Sequence, residues 1–502
     1  MGSCNGNVEE NSRYCIFVIL VTQLPFAFIM GIHLTALNSL TPVIEVFINE
    51  SYQVRYRESP SEYTANLIIN LAHSALVWGS LVGCVLVKLV INLFSRKGSI
   101  LMTHCFMVLS SILMGPVAQY GHSYESLIIG RFINGIFRAV GFTVVVIFIA
   151  ETTCRRRLGF YQGPFSTFQF ISSAFGLGLA HSKVLGTQDL WMWTMCIPIF
   201  ASVIYFVCYP WIPETPVYVL KKRKREDALN ILKLLRSEPT VEKELTILEN
   251  ESEELPSQKD LPLMMLLKKR YSRRQLFTTM ITMTTVQLLG IQAITMFSDS
   301  LLLSAGVDEG YVTIVSVGLF LQSIIAFLIS APLQRRFGTK KVYVIGLFVI
   351  TISYMIFVIA DGLHVKIPTT SYVAIFGLFA VFFGLQLGPL FVLSGLPSEL
   401  TTAGSRPTVV FYSQCAYWIL AGIIIFVFPY SHQAWGVYSY IPFVAISIIL
   451  VPFSIFVLPE THNRSSAQIQ KSFGMKTMAL ASKSDDCIET VPVLQLANDQ
   501  MA

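Results

Sequence analysis

Apolar residues in this chain come in long unbroken runs, not at strand or amphipathic-helix period. The runs cover about residues 14–40, 66–92, 99–119, 125–150, 162–185, 190–212, 274–298, 311–335, 341–361, 371–397, 408–430 and 436–458. A bilayer core takes roughly 20 apolar residues of helix. The pattern therefore predicts about twelve membrane spans. Strand alternation is absent, and helices satisfy every backbone group in lipid without an edge. The fold class expected is an all-α membrane protein of twelve transmembrane helices.

The polar stretches divide the chain. Expected are a cytoplasmic N-terminus over 1–13, a six-helix bundle over 14–212, a central loop over 213–272, a second six-helix bundle over 273–458 and a tail over 459–502. Glu226–Leu235 and Val241–Leu248 have the pattern of short amphipathic helices. The tail is polar enough to be disordered. The first apolar run is too long for a cleaved leader and reads as a signal anchor.

Composition agrees with a lipid setting. Hydrophobic residues make up 53% and charged residues 13%, with mean hydropathy +0.61. Soluble proteins carry roughly 25% charged residues. The net charge of +6 is spread unevenly. Arg96-Lys97, Arg155–Arg157, Lys221–Arg225, Arg273-Arg274, Arg335-Arg336 and Lys340-Lys341 all fall on one side of the predicted spans. The positive-inside rule makes that side cytoplasmic, with both termini and the central loop. The charge thus describes a membrane face, with lipid as its neighbour, and implies no nucleic-acid partner. Oligomeric state is not legible. Of three sequons, at Asn49, Asn250 and Asn463, only Asn49 lies on the expected outer side, so it is the expected glycosylation site. None of the nine cysteines falls in an outer loop, so no disulfide framework is expected.

The chain also repeats itself. Leu93–Lys97 and Arg336–Lys340 follow the second and eighth spans. Glu151 and Glu399 close the fourth and tenth. Pro213-Glu214-Thr215 and Pro459-Glu460-Thr461 close the sixth and twelfth. The offsets are all about 245 positions. Duplicated six-helix halves of this kind place a substrate site between bundles near the midplane.

Charges inside the spans are candidates for function. Arg131, Asn134 and Arg138 stand at i, i+3 and i+7 on the fourth span, as one polar stripe. Arg138 sits near mid-membrane, where a bare charge costs at least ~2.5–3.5 kcal/mol. None of the predicted spans offers Asp or Glu at that depth. Arg138 therefore either binds an anionic substrate or caps backbone carbonyls, the second being favoured. His33 is the titratable group on the first span, a proton-coupling candidate or a hydrogen-bonded pore residue. His73 and His104 read as packing residues. Nucleotide-binding, nucleophile-elbow and metal-cluster motifs are absent from the sequence. No cofactor is expected, and an ATP-driven pump or a membrane enzyme is disfavoured.

Several motifs resemble the sugar-porter family of the major facilitator superfamily, and within it the animal facilitative glucose transporters. Asn92–Lys97 is similar to N-R-F-G-R-R. Gly130-Arg131-Phe132-Ile133 ending at Glu151 matches G-R-F-I…E. Pro213–Pro216 resembles P-E-S-P, Val286–Ala293 resembles Q-Q-L-S-G-I-N-A, and Pro459–Thr461 resembles the closing P-E-T. The resemblance implies the major facilitator fold and carriage of a small-molecule substrate. It further implies substrate contacts at Gln169, Gln287, Gln292, Ser323 and Trp418, with His33 in the pathway. It implies a charge network at the cytoplasmic ends from Arg96, Glu151, Arg155, Glu399 and Arg406, pairing between the bundles. An amide both donates and accepts without a charge to desolvate, which suits a hydroxyl-rich solute. Gln287 and Gln292, five apart, would lie within roughly 140° on one continuous helix. The sequence departs from the family at Val286, Gln292, Met296, Ala421 and Gly384–Val392, where family Gln, Asn, Tyr, Asn, Glu and Trp are replaced. The expected function is facilitative uniport of a hexose or related polyol. An organic-anion carrier or a non-transporting sugar sensor stands as the alternative.

Overall fold

The computed structural model describes residues 12–153, 158–222, 224–236, 241–254, 263–268, 270–364, 369–393, 396–401, 405–461, 469 and 472–473. Ten helical stretches among them are long and apolar enough to cross a membrane. One of these, Thr408–Phe456, is two helices, Arg406–Trp435 and Ile441–Phe456, that meet at the tight turn Gly436–Tyr440. With Leu158–Leu179 added, the spans number twelve.

The first half holds Arg13–Tyr56, Glu62–Leu93, Arg96–Tyr120, Tyr124–Thr152, Leu158–Leu179 and Trp191–Trp211. Capping hydroxyls set several of the starts. Ser12, Ser61, Ser95 and Ser123 each accept a backbone N–H three residues on, worth about 1 kcal/mol apiece. Small residues let the second and fourth spans close. Gly79 and Gly83 lie against Phe132 and Ile136, and a Cβ at Gly135 would stand 2.1 Å from the Leu76 carbonyl oxygen. That spacing is the small-xxx-small packing of membrane helices.

The second half holds Arg270–Met296, Glu309–Gln334, Thr339–Leu363, Thr370–Val392 and the pair at 406–456. Two of its spans are broken. The seventh stops at Leu288 and restarts at Ile291, because Gly290 sits at φ +77°, open to glycine at no steric cost. The tenth stops at Leu387 and restarts at Pro389, whose ring lacks the N–H to continue the ladder. Discontinuous helices are the usual walls of transporter sites.

The first span runs sixteen residues past the expected end at residue 40. Glu45 and Glu50 end the apolar run, but Ile44, Phe47 and Ile48 stay buried, with the Phe47 ring 5.2 Å from that of Trp191. Asn49 consequently lies within this helix, half-buried, and not in the loop that its sequon led us to expect. The central segment forms Pro216–Lys221, Arg225–Leu235, Val241–Glu254 and Leu263–Lys268. In the tail, Ile469 and Phe473 are buried with the core of the second half; most of the tail expected to be disordered lies outside the described residues.

Candidate functional site

The fourth-span stripe turns inward as a hydrogen-bonded network. Arg131 is fully buried. Its Nε donates to the Ala72 carbonyl at 2.6 Å and its Nη1 to the His33 carbonyl at 3.4 Å. Asn134 Nδ2 meets His33 Nδ1 at 2.8 Å, and His33 Nε2 meets the Met195 carbonyl oxygen at 3.2 Å. Both contacts are satisfied by the neutral Nε2–H tautomer. Among the described residues every hydrogen-bond partner of His33 lies in the first half, so the structure places it inside that bundle and not between the two. His104 stacks on Tyr205 at 4.2 Å, and His73 faces Phe297 at 5.4 Å. Arg138 Nη1 donates to the Met30 carbonyl oxygen at 3.1 Å, and the guanidinium faces Tyr417 of the second half.

The halves meet along three surfaces. Phe170 of the fifth span packs on Phe320 and Phe382 of the eighth and tenth, at 6.2 and 5.4 Å. Leu34, Leu76 and Ala139 pack with Met296, Trp418 and Ala421. At the end away from the termini the contact is polar. Ser39 Oγ donates to Asp299 Oδ2 at 2.5 Å, and Ser316 Oγ donates to the other carboxylate oxygen. Beside them Asn38 and Ser298 are hydrogen bonded at 2.7 Å.

Of the expected substrate contacts, Gln287, Gln292, Ser323 and Trp418 are buried and Gln169 is half-buried. Among the described residues the amide atoms of Gln287 meet no hydrogen-bond partner but the neighbouring Tyr417, and the amide oxygen of Gln292 and the Ser323 hydroxyl have none. The same holds for Gln386 Nε2 and Ser413 Oγ, which the sequence reading passed over. Gln386 sits in the stretch read only for its lost family residues. Because the helix breaks at Gly290, the angle expected between Gln287 and Gln292 on one continuous helix does not apply. Asp299, 8% exposed, was also missed, since the predicted span ended at Ser298.

Of the expected charge network, the structure brings together Arg96 and Glu151, at 3.3 Å, and both belong to the first half. Glu151 also accepts from Thr215 Oγ1 at 2.5 Å. Glu399 is exposed. Arg155 and the side chain of Arg406 lie outside the described residues.

Twelve spans in two bundles, with buried polar groups where they meet, define a multi-pass membrane protein of the major facilitator fold. The family model "Sugar (and other) transporter" matches residues 18–473, and the chain belongs to that family. It is 26% identical to the rat solute carrier family 2, facilitated glucose transporter member 5, over 93% of this chain and 94% of that one. It is 25% identical to human member 7 of the same series, over 93% and 91%. The proton:xylose symporter XylE bound to 6-bromo-6-deoxy-D-glucose superposes with a TM-score of 0.75 at 15% identity, over 92% of this chain and 100% of that one.

Proposed function

We propose that the chain is a facilitative carrier of a hexose or related small polyol. It works by alternating access in the plasma membrane, with both termini cytoplasmic. The observation that carries this reading is the set of buried polar atoms on Gln287, Gln292, Ser323 and Gln386 that, apart from Tyr417 beside Gln287, have no hydrogen-bond partner among the described residues. They lie on the seventh, eighth and tenth spans, each of which packs against the first half. A buried donor or acceptor left unpaired costs about 1–3 kcal/mol. A sugar hydroxyl both donates and accepts, so it can answer amide and hydroxyl groups alike. The relatives named as facilitated glucose transporters support the same solute class.

Uniport is supported by His33. The group that the sequence offered for proton coupling has both ring nitrogens engaged inside the first half. Sidedness is supported by the basic residues on the terminus-bearing side. The breaks at Gly290 and Gly388 supply joints for the helix tips over the site.

The test is uptake of labelled D-glucose and a panel of hexoses and polyols by the purified chain in proteoliposomes. At least one should enter saturably and equilibrate without accumulating, with or without an inward proton gradient. No saturable uptake across the panel overturns the carrier reading. Accumulation that requires the gradient overturns uniport.

A further inference from the structure

The two intramembrane arginines share one helix face seven residues apart, yet their surroundings differ. Arg131 is fully buried and donates through Nε and Nη1 to two carbonyls of its own half. Arg138 is 6% exposed and makes one hydrogen bond, through Nη1 to Met30. Among the described residues neither is paired with a carboxylate. Ala139, the next residue, packs against Met296, Trp418 and Ala421 at the seam between the halves. There Tyr417 of the eleventh span lies beside both Arg138 and Gln287. Gln287 is fully buried, and apart from the neighbouring Tyr417 its amide atoms meet no hydrogen-bonding group among the described residues. Arg138 and Gln287 thus reach the same tyrosine from opposite halves.

Two positive charges on one face in a low-dielectric setting create a potential that a neutral sugar does not use. A guanidinium fork with free N–H groups matches a carboxylate, and the amides beside it match hydroxyls. We infer that the solute is a monosaccharide bearing a carboxylate, its acid group on Arg138 and its hydroxyls on Gln287 and Gln292. This deepens the proposed function and rests on it. Arg138 is then the specificity-determining residue of the site. Its bond to Met30 orients the fork without exhausting it. A carboxylate that enters offsets the positive charge of Arg138 beside the seam. Substrate passage is then electrogenic, carrying one negative charge per molecule.

The experiment compares D-glucuronate with D-glucose in proteoliposomes of the full chain. Each sugar is measured as a competitor of the other's uptake and as a source of current on a supported membrane. The wild type should prefer glucuronate and produce current with it alone. In Arg138→Gln the glucuronate-to-glucose preference should fall about tenfold or more, as expected for loss of a charge-assisted pair. That ratio is insensitive to how much protein folds. Arg138→Lys keeps the charge without the fork and should retain part of the preference. Should Arg138→Gln not fold, the wild type and Arg138→Lys decide the matter. A wild type that carries glucose and ignores glucuronate overturns this inference and leaves the hexose reading standing. A wild type that carries neither overturns both. A glucuronate preference unchanged in Arg138→Gln removes Arg138 from the site.

Discussion

The polar contact between the halves at the end away from the termini should act as a latch, and Ser39→Ala tests it. Ser39 Oγ donates to Asp299 Oδ2 at 2.5 Å from the first half, while Ser316 serves the other oxygen from the second. The substitution removes the cross-half donor and leaves the carboxylate held by its own half. A hydrogen bond to a charged group is worth about 1.5–3 kcal/mol. Asn38 and Ser298 remain as the second polar link. The state closed at this end should therefore lose roughly ten- to hundredfold in relative population. Gln292 lies on the helix Ile291–Met296, just before the helix Ser298–Ser304 that carries Asp299, and is buried. A cysteine placed at Gln292 reports whether the latch is open. A membrane-impermeant maleimide is applied from the side opposite the termini, and labelling of the parent chain is subtracted. The rate should rise at least tenfold in the Ser39→Ala background. Asp299→Ala combined with Ser39→Ala should add little to either change alone, because both break one bond. Unchanged labelling in a folded Ser39→Ala protein, or full additivity in the pair, would refute the latch.

Gln287→Ala and Gln292→Ala should each raise the apparent KM for the transported sugar by two- to twelvefold, from loss of about 0.5–1.5 kcal/mol per hydrogen bond; uptake kinetics at unchanged surface level check this. His33→Ala should leave uptake independent of a proton gradient while lowering thermal stability, since its network is internal to one bundle; scanning fluorimetry and uptake together read both. Gly135→Leu should abolish the monodisperse peak in size-exclusion chromatography, because even a Cβ there meets the Leu76 carbonyl at 2.1 Å. A glycosidase-sensitive mass shift should vanish in Asn49→Gln and persist in Asn463→Gln, and a glycan on Asn463 would reverse the proposed sidedness.

The spans were legible because lipid demands one thing of a sequence, a long apolar run, and the runs here are clean. What hydropathy cannot read is where a helix continues after polarity returns. Glu45 and Glu50 hid the rest of the first span, whose inner face stays apolar at Ile44, Phe47 and Ile48. Asp299 was hidden by the same logic one residue past a predicted end. The direction in which a span presents a residue is also not in its spacing. His33 and Asn134 lie on different spans, and only folding joins them. Arg131 and Arg138 were visible as a stripe, but their different surroundings depend on neighbours in the second and eleventh spans. Gly290 was visible as part of a motif, and its positive φ follows from the residue type, yet the broken helix needs the fold to show it.

The duplicated motifs explain what kind of motion the fold permits. Glu214 Oε1 accepts the Lys97 N–H at 3.2 Å and the Thr215 N–H at 3.1 Å. Glu460 Oε1 does the same for Lys340 at 3.4 Å and Thr461 at 3.0 Å. Each carboxylate thereby docks the end of a sixth span on the start of a third, within its own half. Arg96–Glu151 and Thr215–Glu151 tighten the first half again. Arg236 ties the helices Arg225–Leu235 and Val241–Glu254 to that half, through the Thr152 carbonyl and Glu244, while Leu266 of the last central helix packs on Leu276 and Val409 of the second half. Between the halves the contacts differ in kind. Among the described residues they are mainly aromatic and aliphatic surfaces, which are non-directional and keep most of their attraction when they slide, with a few polar contacts at Ser39–Asp299, Asn38–Ser298, Cys84–Cys415 and Arg138–Tyr417. Directional bonds inside each half and sliding contacts between them make rotation of one half against the other the motion of lowest cost. Gln287 and Gln292 lie on a span that packs against the first half, so under the proposed alternating access that rotation would change which side of the membrane they face.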